Sequence, residues 1–175
     1  MSSDALRDDG WPALTGRLGE LPLTLRVWLT GFLGVLSAGY LLGLRHVVER
    51  SGTSVADVAA HYGPGDGEFE YGKTLGEILE TAHGHAISFA LIFFALGVVF
   101  ALTRTSPKVK ASLLIEPWIM IPVTFASMFG TRYASPVFAW TMGIASALTA
   151  LAFAAMVILC LRDLWLRAAP SARGD

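Results

Sequence analysis

Charged residues are scarce in this chain of 175 residues. They make up 15% of the sequence, whereas hydrophobic residues make up 54% of it. About a quarter of the residues of a typical soluble domain are charged, so the composition excludes an ordinary soluble protein. The formal net charge of −1 also lacks the basic excess of a nucleic-acid-binding domain, and we expect no nucleic acid partner.

Cysteine and the common catalytic motifs are also missing. Cys160 is the single cysteine, which excludes a disulfide framework and a cluster of thiolate ligands. The sequence has no Gly-rich phosphate-binding loop followed by Lys and Ser or Thr. It also lacks a recognisable set of nucleophile, base and orienting residue, so the sequence does not predict an enzyme.

Hydrophobic residues, by contrast, occur in four long runs: 27–44, 86–103, 111–131 and 135–161, with Glu116 as the single charged residue among them. Each run is a candidate membrane span, because about 20 helical residues cross roughly 30 Å of hydrocarbon. Backbone groups in lipid must pair within their own segment, which favours helices. The sequence therefore predicts an all-α fold, an integral membrane four-helix bundle with a short extracytoplasmic helical loop.

The predicted organisation is one transmembrane domain with two short cytoplasmic ends. The four-helix domain covers 24–165, with spans at about 26–45, 83–103, 111–131 and 136–161 and an outer loop at 46–82. The first span is expected to stay uncleaved. Residues 1–23 form the predicted cytoplasmic amino-terminal segment, and residues 166–175 form the predicted cytoplasmic tail.

The uneven distribution of basic residues predicts the orientation. Nine of them belong to one side of the predicted membrane: Arg7, Arg17, Arg26, Arg104, Lys108, Lys110, Arg162, Arg167 and Arg173. The opposite side has four: Arg45, Arg50, Lys73 and Arg132. Short loops rich in Lys and Arg stay in the cytoplasm, so both termini are predicted to lie inside, with the protein in the cell inner membrane.

The outer loop carries its own helix signals. Ser54 followed by Asp57 is typical of a capped helix start, which predicts a short surface helix over about 54–62. Thr74 and Glu77 fit a capping box. The second membrane helix is therefore predicted to begin near Thr74, above the membrane.

All four histidines, His46, His61, His83 and His85, belong to this outer face. Positions two apart on a helix point about 200° apart, so His83 and His85 cannot both bind one ion on a continuous helix. A shared site needs His46 or His61 from a second element. The alternative is a helix break at Gly84 that lets both rings converge.

Histidine is a common metal ligand and an axial ligand of haem. The candidate cofactor-binding residues are therefore His83, His85 and His46, with haem b as the candidate cofactor. The candidate ligands of a transition metal ion are His61, His83 and His85. The alternative interpretation is that these histidines only hydrogen-bond to lipid headgroups, water or loop backbone at the membrane interface.

Glu116 is a carboxylate inside a predicted span, roughly 7 Å below the inner edge at 1.5 Å per residue. One interpretation pairs it with Arg104 or Lys110 at the inner ends of neighbouring helices. The other makes it a proton-relay carboxylate or a group that contacts a quinone. Pro117 and Pro122 follow it and are expected to distort the helix and free backbone carbonyls.

Small residues predict which helices pack closely, because helix association in lipid depends on close backbone approach. The first span offers Gly39 and Gly43 as a small-x-x-x-small pair, and the fourth span offers Gly143 and Ala147. We therefore expect the first and fourth spans to pack tightly against each other.

Several strings of the sequence stand out together: His61-Tyr62-Gly63, Thr81-Ala82-His83-Gly84-His85 and Glu116-Pro117. With the short basic link before the third span, they resemble a group of small bacterial four-helix membrane proteins, over roughly 24–165. The resemblance implies that His61, His83, His85 and Glu116 are the positions of interest. Some members carry a translation-elongation-factor label, which the missing phosphate-binding loop does not support.

Three hypotheses about function follow from the sequence. In the first, the outer histidines hold haem b or a metal ion for electron transfer or metal handling. In the second, the protein is a non-catalytic accessory or assembly subunit that docks on a membrane protein partner or forms a homo-oligomer. In the third, it is a small proton- or ion-coupled transporter that uses Glu116. The lipid bilayer is a partner in all three.

Overall fold

The computed structural model of the protein describes residues 18–63 and 73–166. A short 3₁₀ helix at Leu18–Glu20 precedes five α-helices: α1 (Leu23–Ser51), α2 (Val55–Tyr62), α3 (Leu75–Ala101), α4 (Pro107–Tyr133) and α5 (Phe138–Trp165). These described ranges contain no β-strand. Residues 1–17, 64–72 and 167–175 lie outside the described residues, and with them most of the predicted amino-terminal segment, part of the predicted outer loop and nearly all of the predicted tail.

Four of the five helices are long and apolar enough to cross a membrane. Helices α1, α3, α4 and α5 each have 27 to 29 residues, and 27 residues at 1.5 Å each span roughly 40 Å, more than the hydrocarbon core requires. Many large apolar side chains on their outer faces are exposed, as lipid contact requires, among them Trp28, Val35, Leu42, Leu91 and Trp140. The predicted all-α membrane bundle is confirmed.

Local capping fixes where α2 and α3 begin. The Ser54 hydroxyl accepts the backbone N–H of Asp57 at 3.1 Å, and the Asp57 carboxylate accepts the backbone N–H of Ser54 at 2.9 Å. Thr74 and Glu77 form the same reciprocal pair at the start of α3. Both predicted helix starts are confirmed, and α3 continues without a break through Gly84.

Helix α1 ends in a sharp turn at Gly52. The backbone of Gly52 has a φ of 74°, a left-handed conformation that favours glycine over every other residue. Its N–H donates to the carbonyl of Val48 at 3.0 Å, which closes the last turn of α1. The turn lets the chain leave the end of α1 and enter α2 within three residues.

The core of the bundle is built by α3, α4 and α5. The closest packing joins α4 and α5, and α3 packs against both of them. Buried apolar side chains fill the space between these helices, notably Phe93, Leu96, Phe100, Phe153 and Met156. Cys160 is fully buried among them.

Helix α1 packs much more loosely than the sequence predicts. It makes few contacts with α5, and no atom of another element lies within 4 Å of a Cβ built on Gly39 or Gly43. The expected tight packing of the first and fourth spans is therefore wrong. The ring of Tyr40 stacks on Phe153 of α5, with centroids 4.0 Å apart, and this aromatic pair keeps the two backbones apart.

The surface helix α2 is docked onto the bundle by apolar and polar contacts. Val58 and Tyr62 of α2 pack against a small buried cluster that includes Ile78 and Met128. The guanidinium of Arg132 on α4 donates to the Gly63 carbonyl at the end of α2, at 2.9 Å. Helix α2 therefore lies over the ends of α4 and α5 where these two helices are joined.

Candidate functional site: an interhelical groove and a buried carboxylate

A groove of about 1220 Å³ lies between α1 and α3. Glycines form part of both walls, because Gly31, Gly39 and Gly43 of α1 and Gly84 of α3 line it. No atom of another element lies within 4 Å of a Cβ built on any of these glycines. The loose packing of α1 thus leaves a wide space along the side of the bundle.

The groove is apolar along most of its length and polar at one end. Its polar lining comes from the first half of α3 and includes Glu80, Thr81, His85 and Ser88. The opposite end is lined by Trp28 near the start of α1. By the predicted orientation, the polar end is the outer one. This pattern suits an amphipathic molecule with a large apolar body.

His85 is the histidine that lines this groove. Its Nδ1 lies 2.9 Å from the carbonyl oxygen of Thr81, one helical turn earlier. A carbonyl can only accept a hydrogen bond, so Nδ1 carries a proton, and the neutral tautomer that makes this bond has its lone pair on Nε2. No hydrogen bond to Nε2 forms within the described residues. Metal-binding histidines commonly donate their other ring N–H to a backbone carbonyl in this way.

The other three histidines do not line the groove. His46 is exposed on α1, and His83 is exposed on α3, two residues from His85 and on the other side of the helix. His61 lies on α2, edge-on to the ring of Tyr62 at 4.7 Å. Burial lowers the pKa of His61, and the nearby positive charges of Lys73 and Arg50 lower it further.

The described residues contain no group of three His, Cys, Asp or Glu side chains that could hold one metal ion. The geometry therefore does not bring His61, His83 and His85 together, and the metal site stays a prediction. Of the predicted cofactor residues His83, His85 and His46, the structure places only His85 in the groove.

Glu116 lies inside the bundle, nine residues and roughly 13 Å from the start of α4. Its Oε1 is 3.5 Å from the hydroxyl of Thr149 on α5. Its Oε2 is buried and has no hydrogen-bond partner. The carboxylate therefore reaches the α4–α5 interface with only one weak polar contact.

The predicted pairing of Glu116 with Arg104 or Lys110 is wrong. The ammonium of Lys110 donates to the carbonyls of Ala101 and Thr103, both at 2.8 Å, and Arg104 reaches Glu20 at 3.4 Å. Lys110 is held by carbonyls at the end of α3 and in the following turn, and Arg104 is held by Glu20 of the 3₁₀ helix, so neither cation pairs with Glu116.

Tyr40 connects the groove with the surroundings of Glu116. It lines the groove, its ring is fixed by the stack on Phe153, and it is close enough to the Glu116 carboxylate for an electrostatic interaction. Phe153 lies one turn after Thr149 on α5, so Tyr40 and Thr149 approach Glu116 from two different helices. Sequence reasoning missed Tyr40. The sequence feature that could have identified Tyr40 is a hydroxyl-bearing residue next to Gly39 in the middle of an apolar run.

A chain of ring contacts runs from His85 to Tyr40. His85 contacts Phe89 at 5.9 Å between centroids, Phe89 contacts Phe93 at 6.3 Å, and Phe93 contacts Phe153 at 6.2 Å. The stack of Phe153 on Tyr40 completes the chain. The polar end of the groove and the region of Glu116 are thus joined by one row of aromatic side chains.

Sequence reasoning also missed the buried aspartate at the other end of the bundle. Asp163 on α5 is 2% exposed. It accepts the backbone N–H of Arg104 and the guanidinium of Arg162, the latter at 2.9 Å, and it interacts electrostatically with Lys110. The sequence feature that could have identified Asp163 is its position as an acidic residue among the basic residues at the end of the last span. This network joins the α3–α4 turn to α5.

Four membrane-spanning helices define the class: this is a small multi-pass helical membrane protein. The chain belongs to the Aq_1264_TM family, whose sequence model, described as a transmembrane helical domain, matches residues 52–171. The match covers α2 to α5 and leaves α1 outside it. The expected resemblance to a family of helical membrane proteins is confirmed as far as the transmembrane helical class. No curated protein and no solved structure matches the chain.

Proposed function

We propose that this protein binds an apolar ring-shaped cofactor of the haem b class in the groove between α1 and α3. The observation that carries the proposal is the position of His85, whose ring lines the groove with Nδ1 already bonded to the Thr81 carbonyl. In the neutral tautomer that makes this bond, Nε2 has the lone pair that an axial ligand of iron needs. The Thr81 carbonyl orients the ring.

The shape of the groove supports a flat and bulky ligand. Its volume of about 1220 Å³ is above the range of roughly 300–1,000 Å³ that is usual for small-molecule sites, which supports a bulky ligand. Gly39 and Gly43 face the groove without side chains, which allows close approach to a ring face. Phe89, beside His85, offers an aromatic surface on the opposite wall.

Several residues of this chain would contribute to binding the ligand in the groove. His85 would hold the iron, the Thr81 carbonyl would orient the imidazole of His85, and the apolar walls would keep water from the ring. The outer polar end accommodates the charged substituents of the ligand near the membrane surface. A bound haem would supply one-electron redox chemistry, which a role in electron transfer requires.

The same proposal includes the location and the orientation of the protein. We place it in the cell inner membrane with both termini in the cytoplasm, because nine basic residues flank one side and four flank the other. The polar end of the groove then opens toward the outer face. The bacterial origin of the family and its His-x-His pattern likewise stay predictions.

The test is a pair of matched variants two residues apart. His85→Ala removes the histidine in the groove, and His83→Ala makes the same chemical change on the other side of α3. The protein is purified in detergent, reconstituted with haemin, and measured by ultraviolet-visible spectroscopy. We expect one haem per chain in the wild type and in His83→Ala, and loss of the absorbance band in His85→Ala.

The spectrum also reports the number of ligands. A single histidine predicts a five-coordinate, high-spin haem, whereas a low-spin spectrum that His46→Ala converts to high spin would identify His46 as a second ligand. A wild-type sample that neither absorbs as haem nor contains a stoichiometric metal by elemental analysis would overturn the proposal. Loss of haem in His83→Ala but not in His85→Ala would overturn the assignment of the ligand.

A second candidate function is supported by the exposure of α1. Three groove glycines of α1 have none of the described residues packed against them. Close approach of glycine backbones is a common basis for helix association in membranes. In this alternative, the protein is an accessory subunit that receives a transmembrane helix of a partner in the same groove.

Native gel electrophoresis of mildly solubilised membranes tests the accessory role. Gly39→Leu fills the groove, whereas Gly34→Leu changes a glycine of α1 that is open but lies outside the groove lining. We expect the wild type and Gly34→Leu to migrate in a larger complex and Gly39→Leu to be released from it. Migration of the wild type as a monomer would contradict this function.

A further inference from the structure

The surroundings of Glu116 are those of a neutral carboxylic acid. No ion pair with Glu116 forms within the described part of the chain, and Oε2 is buried without a partner. An unpaired charge in an apolar interior costs so much free energy that the group takes up a proton instead. The Thr149 hydroxyl on α5 lies 3.5 Å from Oε1, and Tyr40 on α1 interacts electrostatically with the carboxyl group.

The hydrogen-bond geometry indicates where this proton lies. Oε1 is the oxygen that faces the Thr149 hydroxyl at 3.5 Å, so Oε1 acts as an acceptor. Oε2 has no donor directed at it, and a carboxylic acid carries its proton on the oxygen that is not accepting. The O–H of a protonated Glu116 is therefore on Oε2.

We propose that Glu116, Thr149 and Tyr40 form an intramembrane proton-binding site that exchanges its proton with the groove through the Tyr40 hydroxyl. Tyr40 is suited to this role because its side chain lines the groove and also interacts electrostatically with the Glu116 carboxyl group. A phenol both donates and accepts a hydrogen bond, so it can pass a proton without becoming charged for long. Its ring is held in place by Phe153.

The transfer balances as a simple proton relay. Oε2 has no hydrogen-bond partner among the described residues, so a water molecule must connect it with the Tyr40 hydroxyl. The O–H bond of Glu116 Oε2 breaks as this water gains the proton, the water passes a proton to the Tyr40 oxygen, and the original Tyr40 proton moves to a second water in the groove. No electron moves in this step. The site does not need a cofactor, so a failure of haem binding would leave this proposal intact.

Infrared difference spectroscopy of the full-length protein in lipid tests the protonation state. We expect a C=O stretching band of a protonated carboxylic acid at neutral pH in the wild type, and its absence in Glu116→Gln. Glu80→Gln, which changes a carboxylate at the polar end of the groove, should keep the band. A wild-type spectrum without a protonated carboxylic acid at neutral pH would overturn the proposal.

Deuterium exchange tests the route through Tyr40. In D₂O the Glu116 band shifts as its proton exchanges, and we expect Tyr40→Phe to slow this shift roughly tenfold or more, as loss of a proton-transferring group does. Tyr133→Phe, which removes an exposed hydroxyl at the end of α4, should leave the rate unchanged. Equal rates in Tyr40→Phe and the wild type would contradict the route.

Chemical labelling of the wild type needs no variant and guards against misfolding. A lipid-soluble carbodiimide adds to a protonated carboxylic acid: a carbon–oxygen bond forms, the acid proton moves to nitrogen, and the adduct rearranges to a stable N-acylurea. Peptide mapping by mass spectrometry should locate the adduct at Glu116 at neutral pH. An unmodified Glu116, with adducts confined to the exposed carboxylates outside the bundle, would contradict the proposal.

Discussion

Asp163 and Lys110 show how a few polar residues hold the ends of three membrane helices together. Both side chains are nearly fully buried. Asp163 binds the start of the α3–α4 turn through the backbone N–H of Arg104, and Lys110 binds the end of α3 through two carbonyls. Buried charges with several partners fix one arrangement of the helices, because every other arrangement leaves a charge uncompensated.

We predict that Asp163→Ala lowers the free energy of unfolding by about 3 kcal/mol or more, since removing one partner leaves the other charges buried and unpaired. Glu20→Ala is the control, because the pair of Glu20 and Arg104 is exposed and such pairs contribute about 1 kcal/mol or less. The free energy of unfolding of both variants is measured in mixed micelles with an increasing fraction of sodium dodecyl sulfate. A loss for Asp163→Ala no larger than that for Glu20→Ala would be inconsistent with a buried network.

At the scale of single elements, α2 is a short helix whose position depends on its docking. Eight residues are too few for a stable isolated helix in water, so α2 relies on its capping box and on its contacts with the bundle. His61 lies on this helix beside Tyr62, and its pKa is lowered from the ordinary value of 6.5 by burial and by Lys73 and Arg50. His61 therefore binds a proton less readily when α2 is docked than it does as a free imidazole.

The lowered pKa of His61 predicts a pH dependence of docking. The undocked state takes up a proton more readily, so the contribution of His61 is fully present above pH 6.5 and is lost as pH falls through the lower pKa of the docked state. Asp57 does not interfere, because hydrogen bonds from Ser54 lower its pKa below 3.8. Helix α2 should therefore undock more often in mild acid.

Hydrogen exchange of the amides of α2 measures this effect. After correction for intrinsic rates, exchange should be faster at about pH 5 than at about pH 7, and His61→Gln, which cannot gain a charge, should remove the difference. The amides of α5 serve as the internal reference. A pH difference that persists unchanged in His61→Gln would assign the effect to another group.

Helix α1 is the element that stands apart from the rest. It lies outside the region matched by the family model, and its links to α5 are specific rather than extensive. The Tyr40–Phe153 stack is one of them, and a hydrogen bond of 2.9 Å from the Trp165 indole to the Thr30 hydroxyl is another. A helix that is held by a few side-chain contacts leaves the groove beside it open.

At the scale of the whole molecule, the two ends of the bundle differ in their chemistry. One end contains the Asp163 network and most of the basic residues, and the other contains α2, the histidines and the polar end of the groove. The distribution of basic side chains predicts that the first end faces the cytoplasm. The proposed haem site would then lie toward the outside, and Glu116 would lie between the two faces.

Cysteine labelling in intact cells tests this orientation. Ala56→Cys places a thiol on the exposed face of α2, and Lys108→Cys places one at the exposed start of α4. Cys160 is fully buried and is the only other thiol. A membrane-impermeant maleimide should label Ala56→Cys in intact cells and Lys108→Cys only after permeabilisation. The reverse pattern would invert the topology.

The sequence by itself determined the features that depend on local physics. Long apolar runs predicted the helical membrane class, because length and hydropathy are properties of each segment alone. The pairs Ser54 with Asp57 and Thr74 with Glu77 predicted the starts of α2 and α3, because a capping box forms within four residues. The angular argument on His83 and His85 also held, since α3 is continuous.

Only the tertiary structure decided which faces of the helices meet. The glycines of α1 suggested tight packing, but they line an open groove, and Glu116 contacts Thr149 rather than a cation. Lipid is as apolar as the interior of the bundle, so the sequence of a membrane helix carries little hydropathy signal for its rotation. The rotation of α1 and α3 about their axes places Tyr40 and His85 on the groove, and only the packed bundle shows this rotation.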